Sequence, residues 1–393
     1  MIPSLLISGL AVVAGWSPQN HDSQDRAPQD RNPADPLFLL GDPDIERATE
    51  FEGVTLEGAY TWEGFEVIGE GGATDGLFEI VLDLDLETLL DRPGLSAAAY
   101  FLASHGGALT ELVGDFQVTS NIEAPESARL YELWLDQEFG DGSASVRGGI
   151  YDITTEFDVI PSGQLFIHSS PGTGAEFAAS GVNGPSTYPI SALAARLDLR
   201  PTERTYARVA LGDGVPGDPD DLTSNDLVLD ADEGVVLVAE GGYELGRAKY
   251  ALGAWGYTTD FEALGVGRGR GSQGLYAFAD HPLLGPDSER GLNAFVRLGL
   301  ADDRNTTVDR YVGGGLVQRA PWSGRPHDEF GLAIAAARFS DGRDWEVAFE
   351  LTYRAQVTRW FALQPDLQVV LDPSGDPTLD DAVLVGIRGM VAF

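Results

Sequence analysis

The sequence predicts an all-β protein, an antiparallel transmembrane β-barrel of about sixteen strands that is closed by its C-terminal strand. Short runs of alternating apolar and polar residues recur from Phe51 onward, separated by Gly, Pro, Asp and Asn clusters. The last run, residues 381–393, ends on the aromatic Phe393. No stretch of roughly 18 apolar residues offers a helical span. A membrane chain of this kind crosses as a closed barrel, because closure pairs its backbone groups between strands.

The chain divides into three predicted segments. Residues 1–15 hold a short apolar run followed by small residues, which predicts a signal peptide although no basic residue precedes the run. Residues 16–48 are rich in Pro and Asp, a composition that predicts an extension or linker because it buries too little apolar area to fold. Residues 49–393 carry the alternating runs and are predicted to form the barrel.

The clearest alternating run covers residues 77–87. Its apolar face comprises Phe78, Ile80, Leu82, Leu84 and Leu86. Its acidic face comprises Glu79, Asp83, Asp85 and Glu87. Strand spacing separates these faces cleanly, whereas helical spacing would scatter the leucines. Similar runs cover 53–62, 129–139, 345–354 and 361–371, and in 129–139 the apolar face is predicted to contain Tyr131, Leu133 and Leu135.

The polar faces of these runs are predicted to line a water-filled lumen. Carboxylates and arginines can form bidentate hydrogen bonds to vicinal hydroxyls, and aromatic rings can stack on a sugar. The pore-lining and solute-contact candidates are Glu57, Glu79, Asp83, Asp85, Glu132, Trp134, Asp136, Arg147, Glu350, Arg354, Asp366 and Arg388. For each of them a wall role, in which the group faces water or pairs with a neighbour without touching solute, is the competing interpretation. Trp134 stands out, because an aromatic ring among carboxylates is hard to explain by solvation, and contact with an inward-folded loop is the alternative to solute contact.

The net charge of −37 arises from 62 acidic and 25 basic residues, with Lys249 as the single lysine. Nucleic acid is excluded as a partner, because phosphate binding needs a basic surface. Two interpretations of the acidity stay open: a solvated acidic surface, or carboxylates in the lumen and its loops. The second predicts that neutral solutes and cations pass more readily than anions.

The remaining motifs do not indicate chemistry, so we expect neither an enzyme nor a cofactor or metal site. The five histidines are scattered, and the Asp-rich stretch 212–226 misses the EF-hand spacing for calcium. The glycines of 265–271 lack the Lys-Ser/Thr of a phosphate loop and indicate an external loop. Residues 324–328 (GRPHD) predict a turn in which Arg325 pairs with Asp328.

Several ordered segments, including 82–90 (LDLDLETLL), 163–169 (GQLFIHS) and 324–328, resemble one family. Further matching segments are 129–158, 187–202, 212–219 and 350–372. On these segments the chain is similar to the carbohydrate-selective porin (OprB) family from about Phe51 to Phe393. The resemblance implies a trimeric or monomeric barrel in the bacterial outer membrane, of about sixteen strands, that passes sugars by diffusion.

The sequence therefore predicts passive passage of small hydrophilic solutes, carbohydrates first among them, through an acidic lumen. The expected partners are these solutes, outer-membrane lipid, the barrel-assembly machinery acting on the Phe393 strand, and two further copies in a homotrimer. One alternative is a secreted carbohydrate-active or carbohydrate-binding β protein, whose apolar strand faces would meet in a core. Another is a structural barrel plugged by the stretches 212–226 and 265–274.

Overall fold

The computed structural model describes residues 50–224, 231–259, 271–286, 288 and 290–393. The predicted signal peptide (1–15) and the predicted extension (16–48) lie outside the described residues. None of the described helices is long and apolar enough to cross a membrane.

The described elements are mostly strands. The strands are β1 Glu50–Phe51, β2 Val54–Val67, β3 Gly71–Asp85, β4 Leu95–Gly106, β5 Ser127–Phe139, β6 Ala144–Tyr151, β7 Ala192–Thr202, β8 Thr205–Asp213, β9 Val235–Leu245, β10 Ala248–Tyr257, β11 Gln273–Leu284, β12 Gly291–Ala301, β13 Val308–Arg319, β14 Glu329–Phe339, β15 Trp345–Thr358, β16 Phe361–Leu371 and β17 Ala382–Ala392. Three short helices accompany them: α1 Leu86–Leu90, α2 Leu109–Val113 and α3 Ala175–Ala178. Short 3₁₀ turns lie at Ile153–Thr155, Pro161–Leu165, Ala231–Glu233 and Pro373–Gly375.

The sheet closes on itself. Each strand from β2 to β17 pairs antiparallel with its chain neighbours, and β17 returns to β2 in a register that runs from Leu384 opposite Val67 to Ala392 opposite Ala59. The short β1 extends the β2 edge. The sixteen strands β2–β17 confirm the predicted barrel and its closure by the C-terminal strand. The alternative in which the apolar strand faces meet each other in a core is wrong, because a single sheet forms a closed cylinder.

The two faces of the wall differ in polarity. Apolar side chains on the outer face are exposed, for example Leu252 at 65% and Leu275 at 55%. Charged and polar side chains on the inner face are buried, for example Glu346 at 0% and Gln368 at 0%. This alternation confirms the faces predicted for 345–354, 361–371 and 381–393. An apolar exterior around a polar interior is the arrangement of a barrel surrounded by lipid.

Two local predictions of strand geometry are wrong. The pairing of β4 with β5 shifts register between Tyr100 and Phe101, so that Tyr131 points inward and is 1% exposed instead of lying on the outer face. The strand predicted over 77–87 ends at Asp85, because helix α1 begins at Leu86 and the Asp85 carboxylate accepts the N–H group of Glu87 at 3.0 Å.

The connections at the two ends of the barrel differ in length. At one end, called the short-turn end, β7 joins β8 through 203–204, β9 joins β10 through 246–247 and β15 joins β16 through 359–360. At the other, called the long-loop end, the connections include 107–126 and 152–191. The predicted turn at 324–328 lies at the short-turn end, and its Arg325 Nε is 2.6 Å from Asp328 Oδ2, which confirms the predicted pair.

Candidate functional site: the barrel interior

Two long connections fold into the barrel. They are residues 107–126, called loop A, and residues 152–191, called loop B. Nearly every residue of loop B is buried. Loop B packs rings against the inner wall: Phe177 stacks on Trp255 and Phe166 lies against Phe295, both at 5.9 Å between ring centroids. The largest apolar cluster of the described residues therefore lies inside the barrel. The alternative of a plugged barrel instead assigned the plug to the stretches 212–226 and 265–274. Residues 212–216 of the first are buried, and residues 265–270 of the second lie outside the described residues.

Carboxylates on the inner wall bind the backbone of these loops. Glu346 on β15 accepts the N–H groups of Phe116 and Gln117 in loop A, at 2.7 and 2.8 Å. Four residues further along β15, on the same face, Glu350 accepts the N–H group of Ile167 in loop B at 2.6 Å and that of the next residue at 3.0 Å. Charge-assisted hydrogen bonds of this length are strong. Glu350, one of the predicted pore-lining residues, thus anchors the backbone of loop B.

Hydrogen bonds from loop backbone to wall carboxylates recur on other strands. Three further carboxylates accept loop B N–H groups: Glu132 from Asp152 at 2.9 Å, Glu240 from Asp158 at 2.8 Å and Asp280 from Ser162 at 2.7 Å. Sequence parity identified Glu132 but missed Glu240 and Asp280. No alternating run was predicted around either residue, and the available signal was weak: Glu240 precedes two glycines in β9, and Asp280 is the single carboxylate of β11.

A compact ionic cluster joins β5, β6 and β7 to loop B. Asp136 Oδ2 lies 3.0 Å from Arg147 Nε and 2.8 Å from Arg196 Nη2, and the same Arg196 atom lies 2.8 Å from Glu156 Oε1. The Arg147 guanidinium carbon is 3.9 Å from the centroid of the Trp134 ring. Burial disfavours the ionised form of Glu156, but the charges of Arg147 and Arg196 outweigh this and hold its pKa well below its usual range.

Trp134 makes contacts through its ring face and through its indole nitrogen. Its ring face carries Arg147, and its Nε1 donates to Glu132 at 3.0 Å. The residue is 2% exposed. Its position on the inner face confirms the predicted strand parity, and its contacts are with the wall.

A second ionic group on β12 was missed from the sequence. Arg297 forms two-pronged contacts with two loop B carboxylates: its Nε is 2.8 Å from Asp158 Oδ1, and its Nη1 is 2.9 Å from Glu176 Oε2. The Arg297 guanidinium also lies 4.9 Å from the Tyr311 ring and 5.4 Å from the Tyr276 ring. Side-chain exposure is 1% for Arg297 and 0% for both carboxylates. Burial raises the pKa of Asp158 to about 6, although Arg297 opposes the rise.

Three more of the predicted residues contact polar neighbours on the inner wall or in loop A. Arg388 Nε is 2.8 Å from Glu63 Oε2, and its Nη2 is 2.7 Å from Asn121 Oδ1 of loop A. Asp366 accepts from Gln368 Nε2 at 3.0 Å. Arg354 contacts Glu329 at the short-turn end, away from both loops.

The acidic candidates on β2 and β3 have different surroundings. Glu79 is buried and accepts the hydroxyl of Tyr100. Glu57 and Asp83 are half-buried on the inner face, nearer the short-turn end than the carboxylates that hold the loops. Asp85 caps helix α1, where its side chain accepts the N–H groups of Glu87 and Thr88.

No group of three or more His, Asp or Glu side chains in the described part of the chain could hold a metal ion. The interior offers paired charges, hydroxyls and rings on a rigid wall. Such groups can exchange hydrogen bonds with a hydrated solute while the outer face stays in lipid.

A sixteen-stranded barrel with a lipid-compatible exterior and a polar interior narrowed by inward loops defines a porin. Within that class, the chain belongs to the carbohydrate-selective porin, OprB family, whose model matches residues 69–393. It is an outer-membrane porin for carbohydrates. In such barrels the short turns face the periplasm and the long loops face the exterior, which fixes the orientation of both ends.

The chain is similar to several known proteins. It is 26% identical to Porin B of Pseudomonas aeruginosa over 318 residues, which is 67% of this chain and 68% of that protein. The high-pH structure of Pseudomonas putida OprB superposes with a TM-score of 0.77 at 20% identity and covers 87% of this chain and 94% of that one. The anion-selective porin from Comamonas acidovorans gives a TM-score of 0.55 at 13% identity, with 87% and 100% covered. These structural likenesses concern the fold.

Proposed function

We propose that small neutral saccharides diffuse passively down their gradients through a conduit bounded by loops A and B and the inner wall. The match to a carbohydrate-selective family over 69–393 is the observation that carries this proposal. The dense anchoring of both loops supports a fixed constriction instead of a mobile gate. Passage without chemistry requires that the solute is held weakly, since a tightly bound solute cannot leave.

Glu57 and Asp83 are the candidates that we retain for solute contact. They lie half-buried on the inner face of adjacent strands, with Thr55 directly opposite Asp83. Carboxylates can accept hydrogen bonds from two vicinal hydroxyls of a sugar. For Glu132, Trp134, Asp136, Arg147, Glu350, Asp366 and Arg388 the buried contacts support a wall and anchor role.

Proteoliposome swelling tests the passage of sugars. Vesicles that contain the protein should swell in isotonic solutions of monosaccharides and more slowly in those of longer oligosaccharides. Protein-free vesicles and vesicles that contain the heat-denatured protein serve as controls. Swelling that is absent for every saccharide, in vesicles whose barrel is folded, would refute the proposal.

A plugged barrel is the second candidate, and the burial of almost all of loop B favours it. In that case the lumen is closed and the protein anchors other envelope components. Removal of residues of loop B between its first and last wall contacts would then create conductance that the intact protein lacks. An intact protein that already conducts excludes this candidate.

We further propose that the C-terminal strand is recognised by the barrel-assembly machinery and that the porin forms a homotrimer. The terminal Phe393 ring remains 55% exposed and lies 6.2 Å from the Phe78 ring, beside Gly58. Deletion of Phe393 should lower the amount of heat-modifiable barrel in outer-membrane fractions. Unchanged assembly in the deletion variant would show that the machinery reads another feature.

A further inference from the structure

Two arginines face outward from the wall of the barrel. The other arginines of the described strands point inward or lie at the short-turn end. Arg310 on β13 and Arg338 on β14 instead have the same strand parity as the exposed residues Val312 and Ile334. Their side chains are 55% and 37% exposed. A charge on the outer face is unfavourable within the hydrocarbon but not at the level of lipid headgroups.

Both arginines lie at that level. Arg310 follows the start of β13 at Val308, and Arg338 immediately precedes the end of β14 at Phe339, so both are at the long-loop end that faces the exterior. Trp345, the first residue of β15, is the strand neighbour of Arg338. Aromatic rings mark the membrane interface in such barrels.

The two arginines are direct partners across the strand pair. Arg310 and Arg338 oppose each other in the β13–β14 register. Like charges in this position destabilise a sheet unless an anion lies between them. The sequence has few basic residues to place, 25 against 62 acidic, and puts two of them side by side on the lipid face.

The protein itself only partly neutralises this pair. One oxygen of Asp309 lies 3.7 Å from Arg310 Nε and 3.6 Å from Arg338 Nη1, longer than the roughly 2.7–2.9 Å of a charge-assisted hydrogen bond. Other arginines at the same end are satisfied within their own turns. Arg304 Nε lies 2.9 Å from Asp302 Oδ1, and Arg343 Nε lies 2.9 Å from Asp341 Oδ2.

We propose that Arg310 and Arg338 bind a phosphate group of an outer-leaflet glycolipid. Guanidinium groups present planar forks of donors that match phosphate oxygens, and two forks on adjacent strands can hold one phosphate. Leu300 on β12 lies opposite Arg310 and is 59% exposed, so an acyl chain can continue along the apolar face beside it. Because the pair lies at the exterior end, the lipid that reaches it belongs to the outer leaflet.

The test uses bisphosphorylated lipid A as the probe, with detergent-purified full-length protein and native mass spectrometry. The Arg310→Gln/Arg338→Gln variant should bind lipid A about a hundredfold more weakly, since each of the two lost charge-assisted bonds contributes on the order of one tenfold step. The matched control, Arg304→Gln/Arg343→Gln, should bind like the wild type. Heat-modifiable gel mobility confirms that each variant is folded.

Three results would overturn the proposal. The first is equal lipid A affinity in the wild type and the Arg310→Gln/Arg338→Gln variant. The second is equally tight binding of phosphatidylglycerol, which would show a general phosphate site without preference for the glycolipid. The third is a changed number of protein copies with unchanged lipid binding, which would make this face an interface between copies. Sugar passage should be unaffected in the variant, so the outcome is independent of the proposed conduit.

Discussion

At the scale of single residues, charge pairs inside the barrel fix where the loops lie. A buried arginine that faces two carboxylates, as Arg297 faces Asp158 and Glu176, contributes mainly by preventing unpaired charge in a dry site. The exposed pairs at the rim, such as Arg304 with Asp302, are of little consequence for stability because water screens them. Loop position should therefore be sensitive to the buried arginine and insensitive to the exposed one.

Arg297→Met tests this difference. The substitution leaves two buried carboxylates unpaired, which costs about 3–5 kcal/mol in comparable sites and should free loop B. We expect larger single-channel conductance and faster hydrogen exchange across 152–191 than in the wild type. Arg304→Met is the matched control and should change neither. The triple variant Arg297→Met/Asp158→Asn/Glu176→Gln should recover part of the protection, and a wild-type exchange pattern in Arg297→Met would show that loop B is held by its other anchors alone.

Solute contact is also decided at this scale. The Glu57→Gln/Asp83→Asn variant should lose part of the cation preference of the channel, because two half-buried carboxylates on the inner face raise the local cation concentration. Reversal potentials across a potassium chloride gradient measure this preference. Glu66→Gln, an exposed residue of the same β2 strand on the outer face, is the control. An unchanged reversal potential would remove Glu57 and Asp83 from the conduit.

At the scale of elements, loop A carries two carboxyl groups whose pKa burial raises, so that they lose their protons at higher pH than usual. Glu123 accepts the N–H and hydroxyl groups of Thr110 at 3.1 and 3.0 Å. Burial raises the pKa of Glu123 from 4.5 to about 7. Burial, with the nearby charge of Glu346, also raises the pKa of Asp115 well above its usual range. The packed loop thus binds protons more tightly than the same loop opened to water.

This predicts that loop A is more stable in acid. The contribution of Glu123 is complete below pH 4.5, where both states are protonated, and is lost as the pH rises through about 7. Hydrogen exchange across 107–126, corrected for the intrinsic effect of pH, should show protection that declines over this range. Glu123→Gln should flatten the decline. Protection that grows with pH would contradict the raised pKa assigned to Glu123.

Elements also show what the sequence could and could not predict. Alternation in β15 to β17 identified the inner and outer faces because charged and apolar residues are cleanly separated there. The register shift beside Tyr100 is not visible in sequence, so Tyr131 was placed on the wrong face. No alternating run was predicted over β9, β11 or β12, so Glu240, Asp280 and Arg297 were missed. The inward path of loops A and B depends on contacts between distant segments, which no local pattern encodes.

At the scale of the whole molecule, the barrel separates two solvents. Its exterior leucines are exposed to lipid, while the apolar cluster formed by loop B and the wall fills part of the interior. The charge of −37 is compatible with this design because many carboxylates hold loop backbone instead of facing water. We therefore expect a milder cation preference than the net charge alone suggests, together with a sharp size limit set by the loops.

Single-channel recording tests the central claim most directly. Detergent-extracted protein in a planar bilayer should give discrete conductance steps, and saccharides of increasing size added to one side should block them transiently. Block that weakens once the saccharide exceeds the constriction would establish passage between loops A, B and the wall. A folded barrel that inserts yet gives no steps, or steps that no saccharide affects, would contradict a carbohydrate conduit through this interior.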